Sequence, residues 1–461
     1  MDNPTSEKNE KRNVILNILH YSLGFPPYRT GGLTKYCMDL MKAQVACGNK
    51  VGLLWPGRMQ INGTKVRVKQ GNAVDGIANY EIINPLPVSS DEGIIEVEAY
   101  TKSCNIGVFV EILGVLKPEV IFIHTFMGLY KELVLAARQL SIKTVFIAHD
   151  YFGICPKVTL FTGNKPCECD TDCTKCVSCN QSALSLNKIR ILQSPLYRNV
   201  KNTKIVKVLR KKHRTEFYDT DTSLETYEKV TGKTGENYVQ LRKFYTNILG
   251  MMDLVLFNST LTRDIYLQYC SPRKWEVFPI SHLDIADNRV EKKFGEHLRI
   301  TFLAPAKSYK GYAIVKNALK RLYREGNDKF TLTLYQDVPD KEEFMVCKEP
   351  YSYMELSQIM EQTDLLLAPS VWYETFGFTV LEAYSYGVPI VVSDNTGAKD
   401  LIRNGENGWV VDPTEEALYD VIKQIYVDRN MLKKCNQEIL HESRIPGVPM
   451  ENLLLRVKEM D

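Results

Sequence analysis

The 461-residue sequence lacks any apolar run close to the ~18 residues that a membrane-spanning helix needs. Its first thirteen residues are polar and lack the apolar stretch of a secretory signal peptide. The formal net charge is only +3, which is too small to indicate nucleic-acid binding. We therefore expect a cytoplasmic protein, able to rest peripherally at the inner face of a membrane, with no nucleic-acid partner.

The sequence also lacks internal repeats and low-complexity segments, which argues against a solenoid or a disordered chain. Hydrophobic residues make up 44% and charged residues 25%, as in ordinary globular proteins. Because single cores usually stop growing at ~250–300 residues, a chain of this length predicts two domains.

Short apolar segments alternate with segments of helical periodicity in both halves of the chain. Strands that are apolar throughout are typical of parallel sheets covered by helices on both faces. The sequence thus predicts an α/β fold of two doubly wound, Rossmann-like units. The predicted strands are residues 14–19, 51–55, 120–124, 144–148, 299–303, 331–335, 365–368 and 390–392, and the predicted helices include residues 33–46, 129–140 and 312–323.

The two units are predicted to cover residues 1–285 and 286–440, with an insert at about residues 151–249. Residues 441–461 form a C-terminal tail that we expect to return to the first unit. The boundary is placed in the polar, charged residues 281–295, which show no clear periodicity.

The most informative segment is residues 369–389, PSVWYETFGFTVLEAYSYGVP. A strand leads into a loop holding Glu374, and a helix is predicted to begin near Phe376. Its first turn offers unpaired N–H groups and a dipole that favours an anion such as a diphosphate. Glu382 lies about two turns further along, near the same face, where a carboxylate can accept hydrogen bonds from ribose hydroxyls. Spacing alone would also suit two surface acids.

The Glu-Thr-Phe-Gly…Glu-Ala…Gly-Val-Pro frame resembles glycosyltransferase family 4, retaining enzymes of the GT-B fold, in which two Rossmann-like domains face each other across a cleft. The resemblance implies that Glu374 binds the donor sugar and stabilises its developing positive charge, and that Glu382 holds the ribose. It also implies that the N–H groups near the start of the helix bind donor hydroxyls and phosphate, namely those of Phe376, Gly377, Phe378 and Thr379.

Four residues outside this segment are further candidates. Gly31 and Gly32 precede the first helix, where glycine permits close approach to a phosphate, although their spacing does not match a dinucleotide fingerprint and such pairs are often simple turns. His149 follows a strand, where doubly wound sheets bind ligands, and the resemblance implies that it contacts the donor sugar. Lys310 precedes a helix and can neutralise a leaving diphosphate.

One departure from the family pattern concerns the second unit. Ala304-Pro305-Ala306 stands where the family commonly has Gly-Arg-Leu, so the usual arginine is absent. Lys307 is a candidate replacement. This loss supports a rival hypothesis, a catalytically inactive GT-B scaffold that acts as an interaction subunit. A nucleotide-sugar-modifying enzyme or a phosphorylase on the same fold is a second alternative.

Six of the twelve cysteines lie between Cys155 and Cys179. In a cytoplasmic chain such clustering favours metal ligands over disulfides. We predict a structural zinc site formed by Cys155, Cys167, Cys176 and Cys179, although six candidates leave the ligand set open. The alternatives are a set of thiols without metal and an iron–sulfur cluster.

The insert also contains a basic run. Residues 181–215 hold ten Lys or Arg and no acidic residue, with apolar residues interspersed. This pattern suits either a solvated face or weak, salt-sensitive contact with an anionic membrane. The Asp-Thr-Asp sequences at Asp170 and Asp219 imitate a metal-binding motif but follow no suitable strand.

Taken together, the sequence predicts a retaining, hexosyltransferase-type glycosyltransferase that uses a nucleotide-diphosphate sugar. The expected acceptor is a glycan, lipid-linked or protein acceptor, in surface polysaccharide or glycoconjugate assembly. No cofactor or metal is expected to take part in catalysis.

Overall fold

The computed structural model describes residues 15–60, 63–89, 92–163, 165–167, 171–201, 203, 204, 206, 208, 235–445, 453, 454 and 456. Cys169, Asp170 and the second Asp-Thr-Asp sequence lie outside these residues, as does much of the basic run. Within the described part of the chain, no helix combines the length and apolar character needed to cross a bilayer. The cytoplasmic location stays a prediction.

The first sheet is built from eight strands, which are β1 (Asn17–Tyr21), β2 (Lys50–Pro56), β3 (Arg67–Val74), β4 (Ile77–Ile83), β5 (Val120–Ile123), β6 (Lys143–Ala148), β9 (Leu254–Phe257) and β10 (Trp275–Val277). Their order is β10-β9-β6-β5-β1-β2-β4-β3. Every neighbouring pair is parallel except β3 and β4, which are antiparallel at one edge. A separate hairpin pairs β7 (Phe161–Thr162) with β8 (Lys165–Pro166).

Helices that connect or flank these strands are α1 (Gly32–Ala46), α2 (Gly107–Leu116), α3 (Lys131–Gln139), α4 (Thr174–Cys179), α5 (Leu186–Leu192), α6 (Pro195–Val200), α7 (Glu236–Leu249) and α8 (Thr260–Leu267). The start of α8 shows how the local sequence sets a boundary. The Ser259 side chain accepts a hydrogen bond from the Thr262 N–H and so satisfies one of the unpaired donors of the first turn.

The second sheet is entirely parallel and has the order β13-β12-β11-β14-β15-β16. Its strands are β11 (Leu298–Phe302), β12 (Phe330–Leu334), β13 (Met345–Cys347), β14 (Leu365–Ala368), β15 (Ile390–Ser393) and β16 (Trp409–Val411). Its helices are α9 (Tyr312–Arg324), α10 (Leu356–Glu361), α11 (Phe378–Ser385), α12 (Glu415–Val427) and α13 (Asn430–His441).

Burial explains why the central strands are apolar throughout. Ile18 and Val120 lie in one hydrophobic cluster, whereas their neighbours Leu19 and Ile121 lie in the other. Because successive side chains of a strand point to opposite faces, both faces of the first sheet are covered. The alternation of strands and helices predicted from the sequence is therefore confirmed for both units.

Each sheet has a point at which its strand order reverses, and such points are the usual ligand sites of doubly wound folds. In the first sheet it lies between β1 and β5, whose neighbours continue in opposite directions. In the second sheet it lies between β11 and β14. The loops that follow these four strands, together with the end of β6, carry the candidate site.

The insert leaves the first sheet after β6, and the chain returns through α7 to β9, the next strand in the sheet. Pro195 begins α6 and so separates it from α5, as its effect on helices predicts. Ile191 and Leu196 are 63% and 69% exposed. The membrane contact expected for this segment stays a prediction.

Candidate active site

The loop after β14 leads into α11, whose first residue is Phe378. The sequence had predicted a start near Phe376. Gly377 is the N-cap with φ 102, and a Cβ there would come within 2.9 Å of Thr396 Cγ2. Only glycine combines that backbone conformation with the close approach. No side chain caps the helix, so its first N–H groups remain available to an anion.

Glu374 and Lys310, predicted separately, form an ion pair in the structure. Lys310 Nζ lies 2.6 Å from Glu374 Oε1, and both side chains are mostly buried. Ser370 Oγ donates a hydrogen bond to the other carboxylate oxygen. Lys310 also lies 4.9 Å from the centre of the Trp372 ring. One carboxylate and one ammonium group are thus held at the point where the second sheet reverses its order.

The backbone beside Lys310 depends on the next residue. Gly311 has φ 84, and a Cβ at this position would overlap the carbonyl oxygen of Pro369. The absence of a side chain lets the loop after β11 approach the loop after β14. This approach is what brings Lys310 to Glu374.

Glu382 lies on α11 and is only 2% exposed. Its Oε1 atom is 3.3 Å from Nε2 of His282, which is also buried. Burial, with the Glu382 carboxylate nearby, raises the pKa of Tyr353 above its ordinary value. His282 and Tyr353 therefore surround the acid that the sequence assigned to ribose binding.

Three histidines form a hydrogen-bonded chain at the carboxyl edge of the first sheet. His20 Nδ1 lies 2.9 Å from His124 Nε2, and His124 Nδ1 lies 3.2 Å from His149 Nε2. The chain ends at Gln44, whose Oε1 is 2.7 Å from His20 Nε2. Since each neutral imidazole donates from one nitrogen and accepts at the other, the chain fixes the tautomer of His149.

Burial keeps these imidazoles neutral. It lowers the pKa of His20 to about 4, despite the Gln44 hydrogen bond, and that of His149 to about 3. Burial, together with its two histidine neighbours, also lowers the pKa of His124 well below its ordinary value. Burial raises the pKa of the adjacent Asp150 to about 6. His149 is thus poised to exchange hydrogen bonds as a neutral group.

These shifts predict that stability falls in mild acid. The unfolded chain binds protons at its histidines near pH 6.5, whereas the folded protein does not until the pH is far lower. The free energy of unfolding therefore decreases as the pH falls below that value, and proton uptake by folded Asp150 offsets about one of the three histidines. We expect a loss of about 4 kcal/mol between pH 7.5 and pH 5 in urea denaturation.

The variant His20→Phe/His124→Phe removes two of the three groups and should flatten this dependence. An equally steep decline in that variant would show that other groups cause it.

The two halves of the site meet through the residue after Glu374. Thr375 Oγ1 donates to the carbonyl oxygen of His149 at 3.0 Å. The Thr375 carbonyl accepts from Ser259 Oγ at 2.7 Å and from Thr262 Oγ1 at 3.0 Å. The loop carrying Glu374 is thereby fixed against the strand end carrying His149.

Gly31 and Gly32 lie at the start of α1, with Gly31 as its N-cap and no side-chain cap. Both are exposed, so the first-turn N–H groups can donate hydrogen bonds to a ligand. Their predicted role in donor binding stays a prediction.

The described cysteines of the insert gather in one region. Burial, with the nearby Cys179 and Cys167 thiols, raises the pKa of Cys155 to about 12. A hydrogen bond with Cys173 is the main reason why the pKa of Cys176 is raised. Thiols are suitable zinc ligands, but no three described cysteine sulfurs lie within 4.8 Å of one another. Zinc binding would require them to move closer.

Among the described residues, one group of possible metal ligands has three ligand atoms within 4.8 Å of one another, namely Asp39, His282 and Asp284. Lys35 Nζ already lies 2.8 Å from Asp39 and 2.6 Å from Asp284. The lysine offsets part of the negative charge of these carboxylates and links α1 to the segment between the two sheets.

Sequence reasoning missed several residues of the site. His20 directly follows the predicted strand of residues 14–19, just as His149 follows a predicted strand, so the sequence held the same signal for both. His282 lies in a segment without periodicity, and its contact with Glu382 spans a hundred positions in the chain. Ser370 and Thr375 stand inside the recognised motif but received no role.

Comparison with solved structures shows the class of fold. A sucrose-phosphate synthase from Thermosynechococcus elongatus matches 96% of this chain and 97% of its own, with a TM-score of 0.55 and 13% identity. A glycosyltransferase from Rickettsia africae matches 97% of this chain and 98% of its own, with a TM-score of 0.56 and 12% identity. Anabaena HepE in complex with UDP and glucose matches 96% of this chain and 99% of its own, with a TM-score of 0.53 and 13% identity. The protein has the GT-B fold.

Sequence comparison adds a domain assignment. Residues 284–441 match the family described as Glycosyl transferases group 1, so the second sheet and the loop carrying Glu374 lie within that domain. A sucrose-phosphate synthase of Spinacia oleracea is 33% identical over 87 residues, which are 18% of this chain and 8% of that protein. A probable sucrose-phosphate synthase 4 of Oryza sativa is 25% identical over 189 residues, 38% of this chain and 17% of that protein. The similarity thus spans a small part of these longer relatives.

Proposed function

We propose that the protein is a glycosyltransferase that transfers a hexose from a nucleotide-diphosphate sugar, with retention of configuration. The observation that carries the proposal is the Lys310–Glu374 ion pair beside the uncapped start of α11. These groups offer charge and N–H donors to a diphosphate-linked sugar. The Glycosyl transferases group 1 domain and the UDP named for the Anabaena structures support a nucleotide-sugar donor.

In the proposed mechanism, Lys310 and the N–H groups of α11 stabilise negative charge on the departing diphosphate. Glu374 faces the positive charge that develops on the donor sugar. His149, held neutral by the histidine chain, exchanges a hydrogen bond with a sugar hydroxyl. The acceptor approaches from the first unit. We propose that it belongs to surface polysaccharide or glycoconjugate assembly.

The test is to incubate the protein with UDP- and GDP-sugars and candidate acceptors and to identify products by mass spectrometry. We expect a product one hexose heavier than its acceptor, with the anomeric configuration of the donor. The proposal would be contradicted if neither donor stabilised the protein against heat and no product formed.

The inactive scaffold remains a second candidate because the usual arginine is absent near Ala306. Lys307, which follows it, is the candidate substitute. A scaffold would bind a partner without turning over any donor, so the same product analysis separates the two functions.

We also propose a structural zinc in the insert, supported by the gathered thiols around Cys155. Elemental analysis of the purified protein should find about one zinc per chain, since four thiolates close one site. The variant Cys155→Ser/Cys179→Ser should lose the metal, whereas Cys47→Ser/Cys270→Ser, outside the insert, should keep it. Metal-free protein would remove the proposal.

A further inference from the structure

A cavity of about 550 Å³ lies in the first unit, away from the residues assigned to catalysis. Asn84 and Pro85, which directly follow β4, form part of its lining. Leu186 and Arg190 of α5 also line it, so the insert contributes one wall. The volume is within the range of small-molecule sites, and the carboxyl ends of strands are where doubly wound sheets bind ligands.

The sheet order places this cavity at a distance from the reacting atoms. His149 follows β6, which is four strand steps from β4 through β5, β1 and β2. Since neighbouring strands are ~4.8 Å apart, the cavity lies roughly 19 Å along the sheet edge from His149. A group bound in the cavity is therefore too far from His149 to be the reacting hydroxyl.

The lining combines apolar surface with positive charge. Apolar side chains include Met59, Val66, Leu86, Val108, Tyr130 and Leu186. Lys65, Lys102 and Arg190 are its charged members, all three are exposed, and no carboxylate lies among the described lining residues. This arrangement complements an anion attached to an apolar chain, because the cations can pair with a phosphate while the apolar side chains contact the chain.

The surface next to the cavity has the same dual character. Ile191, which follows Arg190 in α5, and Leu196 in α6 are largely exposed. Lys188 and Arg190 of α5 are exposed, and residues 181–201, which the structure describes, contain no acidic residue. An apolar and basic surface beside the cavity suits a molecule that arrives from an anionic lipid layer.

We propose that the cavity binds the phosphate-bearing end of a lipid-linked acceptor, with the phosphate at Lys65, Lys102 and Arg190 and the first part of the lipid chain against the apolar lining. The inference deepens the proposed function and rests on it, because it assigns the acceptor class of that reaction. The glycan portion would extend along the sheet edge towards His149.

The test measures binding of dodecyl phosphate to the full-length protein by calorimetry. In the variant Lys65→Ala/Lys102→Ala/Arg190→Ala, we expect the Kd to rise about 30-fold or more, because charge-assisted contacts to phosphate are lost. The control Lys69→Ala/Lys433→Ala/Lys434→Ala removes the same charge from exposed positions outside the cavity and should keep the wild-type Kd. Equal weakening in both variants would reduce the effect to net charge and overturn the proposal.

Two further arms define the ligand. Glucose 6-phosphate carries phosphate without an apolar chain, and binding as tight as that of dodecyl phosphate would overturn the lipid assignment. Dodecyl maltoside carries the chain without phosphate, and it should bind weakly and equally to wild type and cavity variant. Ser103→Trp, an exposed lining position, should weaken dodecyl phosphate binding by filling the cavity.

Thermal stabilisation by UDP- and GDP-sugars, measured on the same proteins, separates this inference from the proposed function. Cavity variants should respond to a nucleotide sugar like wild type. Failure of every nucleotide sugar to bind wild type would end the proposed function, whereas charge-dependent binding of dodecyl phosphate would still establish the cavity as a lipid-phosphate site.

Discussion

Glu374→Gln is expected to lower kcat for sugar transfer by about 10²–10³-fold, the usual effect of removing a group that stabilises transition-state charge. The substitution keeps the shape of the side chain but removes the negative charge that faces the donor sugar. Nucleotide-sugar affinity should change far less, because diphosphate binding is assigned to Lys310 and the amides of α11. Initial rates over a range of donor concentrations separate the two effects.

A second explanation of such a loss is that Lys310 moves once its partner, 2.6 Å away, is neutral. A double-mutant cycle with Lys310→Met distinguishes the two, since coupled residues show non-additive effects on kcat. Glu361→Gln, an exposed acid at the end of α10, is the control and should leave kcat unchanged. Wild-type turnover by Glu374→Gln would remove this residue from the chemistry.

The strand-to-helix loop could be predicted from sequence because the residues that form it are close together in the chain. The apolar strand β14, Glu374, Gly377 and the helix all lie within 21 consecutive residues. The first residue of α11 was misplaced by two positions, because the unusual backbone of Gly377 delays the helix. Periodicity reports which face is buried, and it does not report how a loop turns into the helix.

Contacts between distant segments could not be predicted in the same way. β6 and β9 pair in register, with Val145 opposite Leu254, although the whole insert separates them in the chain. No local sequence pattern indicates which strand pairs with β6, and β9 and β10 were therefore not predicted. The histidine chain joins three strand ends by the same long-range topology, so single histidines could be noticed but their connection could not.

His282 illustrates the remaining gap in physical terms. It lies between the two sheets, where neither periodicity nor a motif marks a residue, yet it is buried against Glu382. A histidine and a carboxylate that share a buried site can be a structural pair or a ligand site awaiting a nucleoside. The two readings predict different results for the same variants.

Glu382→Ala is expected to raise the Kd of the nucleotide sugar by about 100-fold, because the ribose loses an ionised hydrogen-bond acceptor. At a donor concentration 100 times the wild-type Kd, bound donor should stabilise wild type by about 2.7 kcal/mol but the variant by only about 0.4 kcal/mol. The ligand-induced change is the relevant quantity, since removal of a buried side chain also alters the stability of the free protein.

His282→Phe is the matched variant for this measurement. It fills the space of the imidazole and removes the neighbour of Glu382 without touching the carboxylate. If Glu382 binds the ribose directly, His282→Phe should keep donor-induced stabilisation within about 0.5 kcal/mol of wild type, a difference of roughly two-fold in Kd. Equal losses in both variants would show that the buried pair supports the fold of the pocket, and that the ribose is held by other groups.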